Sequence, residues 1–406
     1  MGEEDRVRSW MRLSAVLMSG LALGAGAQAT GGAKAETPAQ KMAATVIREW
    51  PAGVKAGSKA QWGYEEGVLL DGMAAEWHAT GNGADFDYIK EAVDRYVTPE
   101  GTITGYKAEG HTLDDIEMGR ATLLVYRVTQ EARYAKAAQF LHEQLAVQPR
   151  TVSGGYWHKQ VYPHQMWLDG AYMAEPFRAM YAATFGVSGD WDDIAKQLLL
   201  MDEHMRDAKT GLLKHGWDDA APGEQRMAWA DKQTGLSPEF WARAMGWYAM
   251  ALVDVLDWFP KENPQRVQLV AALQRTMAAA VKVQDPASGL WWQVLDRGPV
   301  KGNYLEASAS CMFTYALAKG VRLGYLPRAD EAAAKQGWAG IQRQFVGVGA
   351  DGGMVLHGTV KVGGLGGTPY RSGTFDYYVH EPVVDQDAKG VGAFLLAGSE
   401  MELAGR

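Results

Sequence analysis

An all-α fold, a single-domain (α/α)6 barrel of six inner and six outer helices, is what this 406-residue sequence predicts. Three observations carry that reading. From Met42 onward, segments with apolar residues three and four apart alternate with segments that are apolar nearly all round. The second kind is dense in Gly, Ala, Ser and Met, so those helices should be buried on every side, with their axes close together. Lastly, a spacing of Gly, three residues, then His or Gln recurs at Gly154 and His158, Gly211 and His215, Gly289 and Gln293, and Gly353 and His357. Recurrent loops that bring a polar side chain to one end of a helical barrel would ring a single cleft. The bland alternative is a repeated turn with a glycine cap, preferred for Gln293 and His357.

In chain order, ATVIREW (44–50) is the first outer helix and YEEGVLLDGMAAEW (64–77) the first inner one. Phe86, Ile89, Val93 and Tyr96 mark an outer stripe, followed by the inner DDIEMGRATLLVY (114–126). EARYAKAAQFLHEQL (131–145) is outer and DGAYMAEPFRAMYAA (169–183) inner. Ile194, Leu198, Met201 and Met205 make the next outer stripe, before the inner WARAMGWYAMALV (241–253). PQRVQLVAALQRTM (264–277) and the inner EASASCMFTYALA (306–318) follow. Trp338, Ile341 and Phe345 precede the last inner helix, VGAFLLAGSEME (391–402). Length alone suggests roughly two or three domains, but no linker interrupts 41–406, so one domain is expected there. The Gly-rich run 349–370 reads as a hairpin or mobile loop over one mouth of the barrel, and it lacks the ending of a phosphate loop.

The formal net charge is −8 with no basic block, so nucleic acid is not an expected partner, and an anionic substrate would need a local basic pocket. The lone cysteine, Cys311, has no partner for a disulfide within the chain and reads as buried packing. Residues 13–29, LSAVLMSGLALGAGAQA, form an apolar run ending in small residues. That run is short and Gly/Ala-rich for a membrane span and reads as an export signal. A signal over 1–29, a flexible segment over 30–40 and a periplasmic or extracellular protein are therefore expected. The acids of GEEDRVR cancel its arginines, whereas a start at Met11 leaves the basic MRLSAVLM; N-terminal mapping of the precursor tests that start.

Two carboxylates stand out, each expected to open an inner helix. Asp114 or Asp115 in TLDDIEMG can simply cap that helix, and so can Asp169 in MWLDGAYM. Asp169, however, sits among Trp167, Leu168, Tyr172 and Met173. Apolar surroundings favour the neutral acid, and a second carboxylate nearby favours it further, which makes Asp169 a candidate proton donor. Basic and aromatic residues cluster ahead of other inner helices: Trp157, His158 and Lys159; Lys214, His215 and Trp217; Trp241, Arg243 and Trp247. Arg243 and Trp247, at i and i+4, share a helix face, and the arginine suits two-pronged binding of a carboxylate. The alternative for Arg243 is a salt bridge to Glu239 or Glu306. No HExxH or H-x3-H spacing, nucleophile elbow or dinucleotide fingerprint occurs, so no metal or cofactor is expected. Carboxylate acid/base chemistry on a sugar is what remains.

The blocks LDDIEMG, GGYWHK, YPHQMWLDGAYM, KTGLLKHGWDD, TGLSPEFWARAMGWY, SGLWWQV and FDYYV resemble the unsaturated rhamnogalacturonyl hydrolases of glycoside hydrolase family 105, related to the family 88 unsaturated glucuronyl hydrolases. The similarity runs from about Trp62 to the C-terminus and implies the (α/α)6 barrel. It implies a substrate bearing a 4,5-unsaturated uronic acid at its non-reducing end, left when a lyase cuts a pectin-like chain. By that resemblance Asp169 matches the general acid/base and Asp114 the second essential aspartate. Tyr64, His158, His215, Trp241, Arg243 and Trp247 match sugar-contacting positions, and Lys159 joins them on charge. Two rival readings stay open: an unsaturated glucuronyl hydrolase acting on glycosaminoglycan or ulvan fragments, and an exported carbohydrate-binding protein on a degenerate barrel.

Overall fold

The computed structural model of the protein describes residues 35–56 and 59–405; the export signal expected over 1–29 lies outside the described residues. Among the described residues there are thirteen α-helices. The inner set is α2 (Tyr64–Thr80), α4 (Gly119–Thr129), α6 (Leu168–Phe185), α8 (Ala242–Trp258), α10 (Ala307–Arg322) and α13 (Ala388–Ala404). Each packs on the next, and α13 packs back onto α2, closing a ring. Outside it lie α1 (Pro38–Glu49), α3 (Gly83–Asp94), α5 (Ala132–Ala146), α7 (Trp191–Met205), α9 (Gln265–Lys282) and α11 (Glu331–Gln344). This is the six-plus-six alternation expected from the sequence; the short α12 (Phe375–His380) belongs to a loop. No helix among the described residues is long and apolar enough to cross a membrane.

Local chemistry sets the helix boundaries. Thr37 accepts from the Gln40 N–H while the Gln40 side chain accepts from the Thr37 N–H, a capping box with proline in the first turn. Helix α1 therefore starts at Pro38, inside the segment 30–40 expected to be flexible. Close helix approach rests on glycine: a Cβ at Gly72 would lie 2.7 Å from the Gly392 carbonyl oxygen, and one at Gly392 2.3 Å from that of Val68. A larger residue at either position would push α2 and α13 apart.

The connections are unequal, and this positions the site. Inner helices pass to outer ones through short turns, such as 81–82 and 130–131, whereas returns to the inner ring run through long loops, 147–167 and 206–241 among them. All six inner helices thus begin at one mouth, where the long loops gather. A turn with glycine at positive φ starts several of these loops, at Gly101, Gly154, Gly211 and Gly289. Of the short strands, β1 (Lys55–Ala56) pairs with β2 (Lys59–Ala60), and β3 (Gln165–Trp167) with β4 (Gly216–Asp218). The Gly-rich run opens as a hairpin, β5 (Val346–Val348) against β6 (Met354–Leu356). Then β7 (Thr359–Val360) pairs with β8 (Val383–Val384), and the chain between them straps across the mouth.

The expectation that inner helices are apolar nearly all round fails along the barrel interior. Arg120 of α4 lies 2.6 Å from Asp71 of α2 and 2.9 Å from Asp254 of α8. Lys319 of α10 lies 2.7 Å from Asp254 and 2.6 Å from Asp257. Tyr172 donates to Asp71 and Tyr315 to Asp254. Burial raises the carboxyls of Asp71 and Glu117, Glu117 well above its ordinary range with Asp71 adding to it, while at Asp254 burial is outweighed by Lys319 and Arg120 and the shift is downward. Buried charges survive only when paired in this way.

Candidate active site

Asp114 does not open a helix as expected. Helix α4 begins at Gly119, and Asp114 sits in a separate 3-10 turn, Leu113–Asp115. Neither α4 nor α6 has a side-chain cap, so capping explains neither Asp114 nor Asp169. The 3-10 turn is tied to the GYWHK segment by the Leu113 N–H, which donates to the His158 carbonyl at 3.1 Å. Lys159 Nζ then stands 2.5 Å from Asp114 Oδ2, and His158 Nε2 stands 3.3 Å from Oδ1. Burial alone would raise the Asp114 carboxyl, but Lys159, His158 and Arg371 outweigh it and hold it below the ordinary carboxylate range. Asp114 is therefore an anion at neutral pH. Tyr64, at the first position of α2, lines the same cavity of about 210 Å³ as Asp114 and Lys159. Its phenol is pushed well above its ordinary value by burial and then by Glu65 and Asp114.

Asp169 lies in the first turn of α6, with a side chain 13% exposed. Its Oδ2 is 3.0 Å from His215 Nε2, although neither atom makes an aligned hydrogen bond. The other nitrogen of that imidazole, Nδ1, is 2.6 Å from the Tyr378 hydroxyl, which fixes the ring. Trp167, just before Asp169, stacks with His158 at 4.5 Å and with Tyr162 at 4.8 Å. Gly170 brings His158 and Asp169 together: a Cβ there would meet His158 Nδ1 at 3.2 Å and Leu113 at 2.9 Å.

His158 differs from the sequence reading, which grouped it with the basic residues. Burial, first of all, lowers its imidazole to about 4, with Lys159 and His215 adding to the effect against the two aspartates. It is a neutral ring at neutral pH. Between 6.5 and about 4 the unfolded chain binds a proton that the native ring refuses, so stability falls as pH falls through that window. The loss amounts to about 3 kcal/mol. Urea unfolding at the two ends of the window should show His158→Gln losing correspondingly less than the parent chain; equal acid sensitivity in both would exclude a neutral buried His158.

The third cluster is placed differently from expectation. Trp241, the N-cap residue of α8, is 1% exposed, stacks on Tyr378 at 5.6 Å, and donates Nε1 to Gln293 at 3.2 Å. Gly363 of the strap closes over the ring, where a Cβ would fall 2.4 Å from Cζ2. Arg243 forms neither alternative salt bridge. It donates to the Val360 carbonyl at 2.5 Å, while Glu239 pairs with Arg297, and Glu306 accepts from Ser308, the Ala309 N–H and the Val360 N–H. Trp247 is one turn deeper, 1% exposed and stacked on Tyr172 at 5.0 Å. The structure thus gathers Asp114, Lys159, His158, Asp169 and His215, with Tyr64 beside Asp114. Trp241 and Arg243 are covered by the strap, and Trp247 lies in the core. Sequence reasoning passed over Tyr162, Tyr378 and Arg371 and read Gln293 as part of a glycine turn; FDYYV, noted only as a block, was the available signal for Tyr378.

This geometry, a carboxylic acid or carboxylate at Asp169 near an anionic Asp114 and two imidazoles, suits acid/base chemistry on a polyhydroxylated ligand. The profile of Glycosyl Hydrolase Family 88 matches residues 38–404. A family 105 glycoside hydrolase of C. acetobutylicum ATCC 824 has a similar structure, with a TM-score of 0.86 and 41% identity, covering 91% of this chain and 100% of that one. Protein Atu3128 of Agrobacterium fabrum is 41% identical over 241 residues, 58% of this chain and 100% of the relative. The unsaturated rhamnogalacturonyl hydrolase YesR of Bacillus subtilis is 29% identical over 265 residues, 63% of this chain and 70% of the relative. A helical toroid whose charged mouth is built from the aspartate and histidine blocks, matched along nearly its whole described length, belongs to Glycosyl Hydrolase Family 88, in the group that includes the family 105 unsaturated uronyl hydrolases.

Proposed function

We propose that the protein releases the 4,5-unsaturated uronic acid from the non-reducing end of lyase-cut oligosaccharides, with the unsaturated rhamnogalacturonan disaccharide as its substrate. The observation that carries this reading is the unequal pair of aspartates. Asp114 is held anionic by Lys159, while Asp169, among the described residues, pairs only with His215. One carboxylate is thereby suited to hold sugar hydroxyls and the other to carry a proton. The family 105 likeness and the name of the Bacillus relative support the substrate class.

An unsaturated uronate is a vinyl ether. Protonation at C4 by Asp169 leaves positive charge on C5 and the ring oxygen. The Asp169 carboxylate then takes a proton from water as its oxygen bonds to C5. The hemiketal so formed opens by rearrangement and frees the neighbouring sugar, with no attack at the anomeric carbon and no separate nucleophile of the kind retaining glycosidases use. Six inner helices point their N-termini at this mouth, and their dipoles favour an anionic sugar in spite of the chain's net charge of −8. The run 13–29 supports action outside the cytoplasm, where lyase products form. Loss of alkene ultraviolet absorbance should follow mixing with unsaturated rhamnogalacturonan disaccharide, and faster than with unsaturated glucuronyl products. Binding without loss of absorbance would leave the carbohydrate-binding reading in its place.

A further inference from the structure

We propose that Arg371 is the receptor for an oxyanion of the bound sugar, foremost the carboxylate of the unsaturated uronate; this rests on the reading above. Arg371 sits on the strap. Its Nε donates to the Gly366 carbonyl at 2.9 Å, and its Nη2 to the Tyr162 hydroxyl at 2.6 Å and the Leu365 carbonyl at 3.3 Å. The guanidinium lies over the Tyr162 and Trp167 rings, 5.7 and 5.8 Å from their centroids. Trp167 lies two residues before Asp169, so Arg371 stands beside the reacting end of the cleft, and its charge reaches Asp114.

Among the described residues, no carboxylate stands within ion-pair distance of Arg371. Three other cations at the mouth are engaged. Lys159 is paired with Asp114 and Lys389 with Glu65 and Asp387, while Arg243 is 2% exposed and bound to the Val360 carbonyl. Trp229, 5% exposed, offers an unpartnered Nε1 in the same corner, 3.6 Å from where a Cβ of Gly366 would stand. A partly buried guanidinium and a buried indole N–H, both without an anionic acceptor, form a donor site that a carboxylate completes.

The test compares kcat and KM of the parent chain, Arg371→Gln, Arg371→Lys and Tyr162→Phe on three substrates. These are an unsaturated uronide with a neutral neighbouring sugar, its uronate methyl ester, and a uronide whose neighbouring sugar carries an acid. Arg371→Gln should raise KM for the free uronate by about 10- to 100-fold, the size of a charged hydrogen bond. It should reduce the preference for acid over ester by the same factor, with Arg371→Lys between. Tyr162→Phe loosens the same strap and should leave that preference in place, which separates recognition from anchoring. A penalty confined to the acidic neighbouring sugar would keep the receptor and place its oxyanion on that sugar. An unchanged acid-to-ester preference on every substrate, in a folded and active variant, overturns the proposal alone. A parent chain that consumes none of the three overturns the functional reading, and this inference with it.

Discussion

Asp169→Asn should lower turnover of the unsaturated disaccharide by on the order of 10⁴-fold, the upper part of the range for general acid/base catalysis. The size follows from double duty, since the same carboxyl gives the proton to C4 and takes one from water at C5. The amide keeps the shape and the contact with His215, which lies 3.0 Å away, so the barrel should remain folded. Because the lost interaction exists in the transition state more than in the bound substrate, kcat should carry the loss and KM should change little. Single-turnover loss of alkene absorbance, beside an unchanged melting temperature, makes the measurement. Near-normal turnover in the variant would remove Asp169 from the chemistry.

Arg120→Met should destabilise the fold by about 3–5 kcal/mol, the cost of leaving buried carboxylates without their cation. Arg120 bridges Asp71 and Asp254 across the inner ring, and Tyr172 and Lys319 extend the same network. The pH dependence gives this prediction its sign. The Asp254 carboxyl is held below its ordinary range, so its stabilisation is present above its unfolded pKa and lost as pH falls. The variant's deficit should therefore be larger at neutral pH than in acid, where the carboxylates are protonated in either chain. Urea unfolding across pH reads this directly, and Arg120→Lys, which keeps one charge, should fall between. A deficit independent of pH would show that Arg120 acts through packing rather than charge.

The interior network shows where reading by period is weakest. Asp71, Arg120, Asp254 and Lys319 are charges facing the interior of largely apolar helices, and each would be costly alone. They become tolerable only because four different helices bring them within ion-pair distance, and sequence spacing holds no trace of that. The recurrent Gly spacing succeeded in part for a similar reason. It delivers His158 and His215 to Asp114 and Asp169, yet it sets Gln293 beneath Trp241 and leaves His357 on the surface beside Asp385. A glycine turn dictates the path of the backbone; the neighbouring loop decides what the delivered side chain meets.

The same division holds for the aromatic residues. Trp167, Trp241 and Trp247 all lie close to polar residues in sequence, and nothing local separates a sugar platform from core. Trp247 is core because it is one helical turn below the mouth, and Trp241 is covered because Gly363 can approach its ring without a clash.

By itself the amino-acid sequence determined the barrel and the order of its helices, because apolar periodicity and glycine turns act between residues close along the chain. Only the tertiary structure decided which cations are neutralised, that His158 is a neutral ring, and that Arg371 stands at the mouth without a counter-ion among the described residues. Charge state and exposure depend on groups brought near from distant parts of the chain, and the long loops choose those groups after the helices have closed their ring.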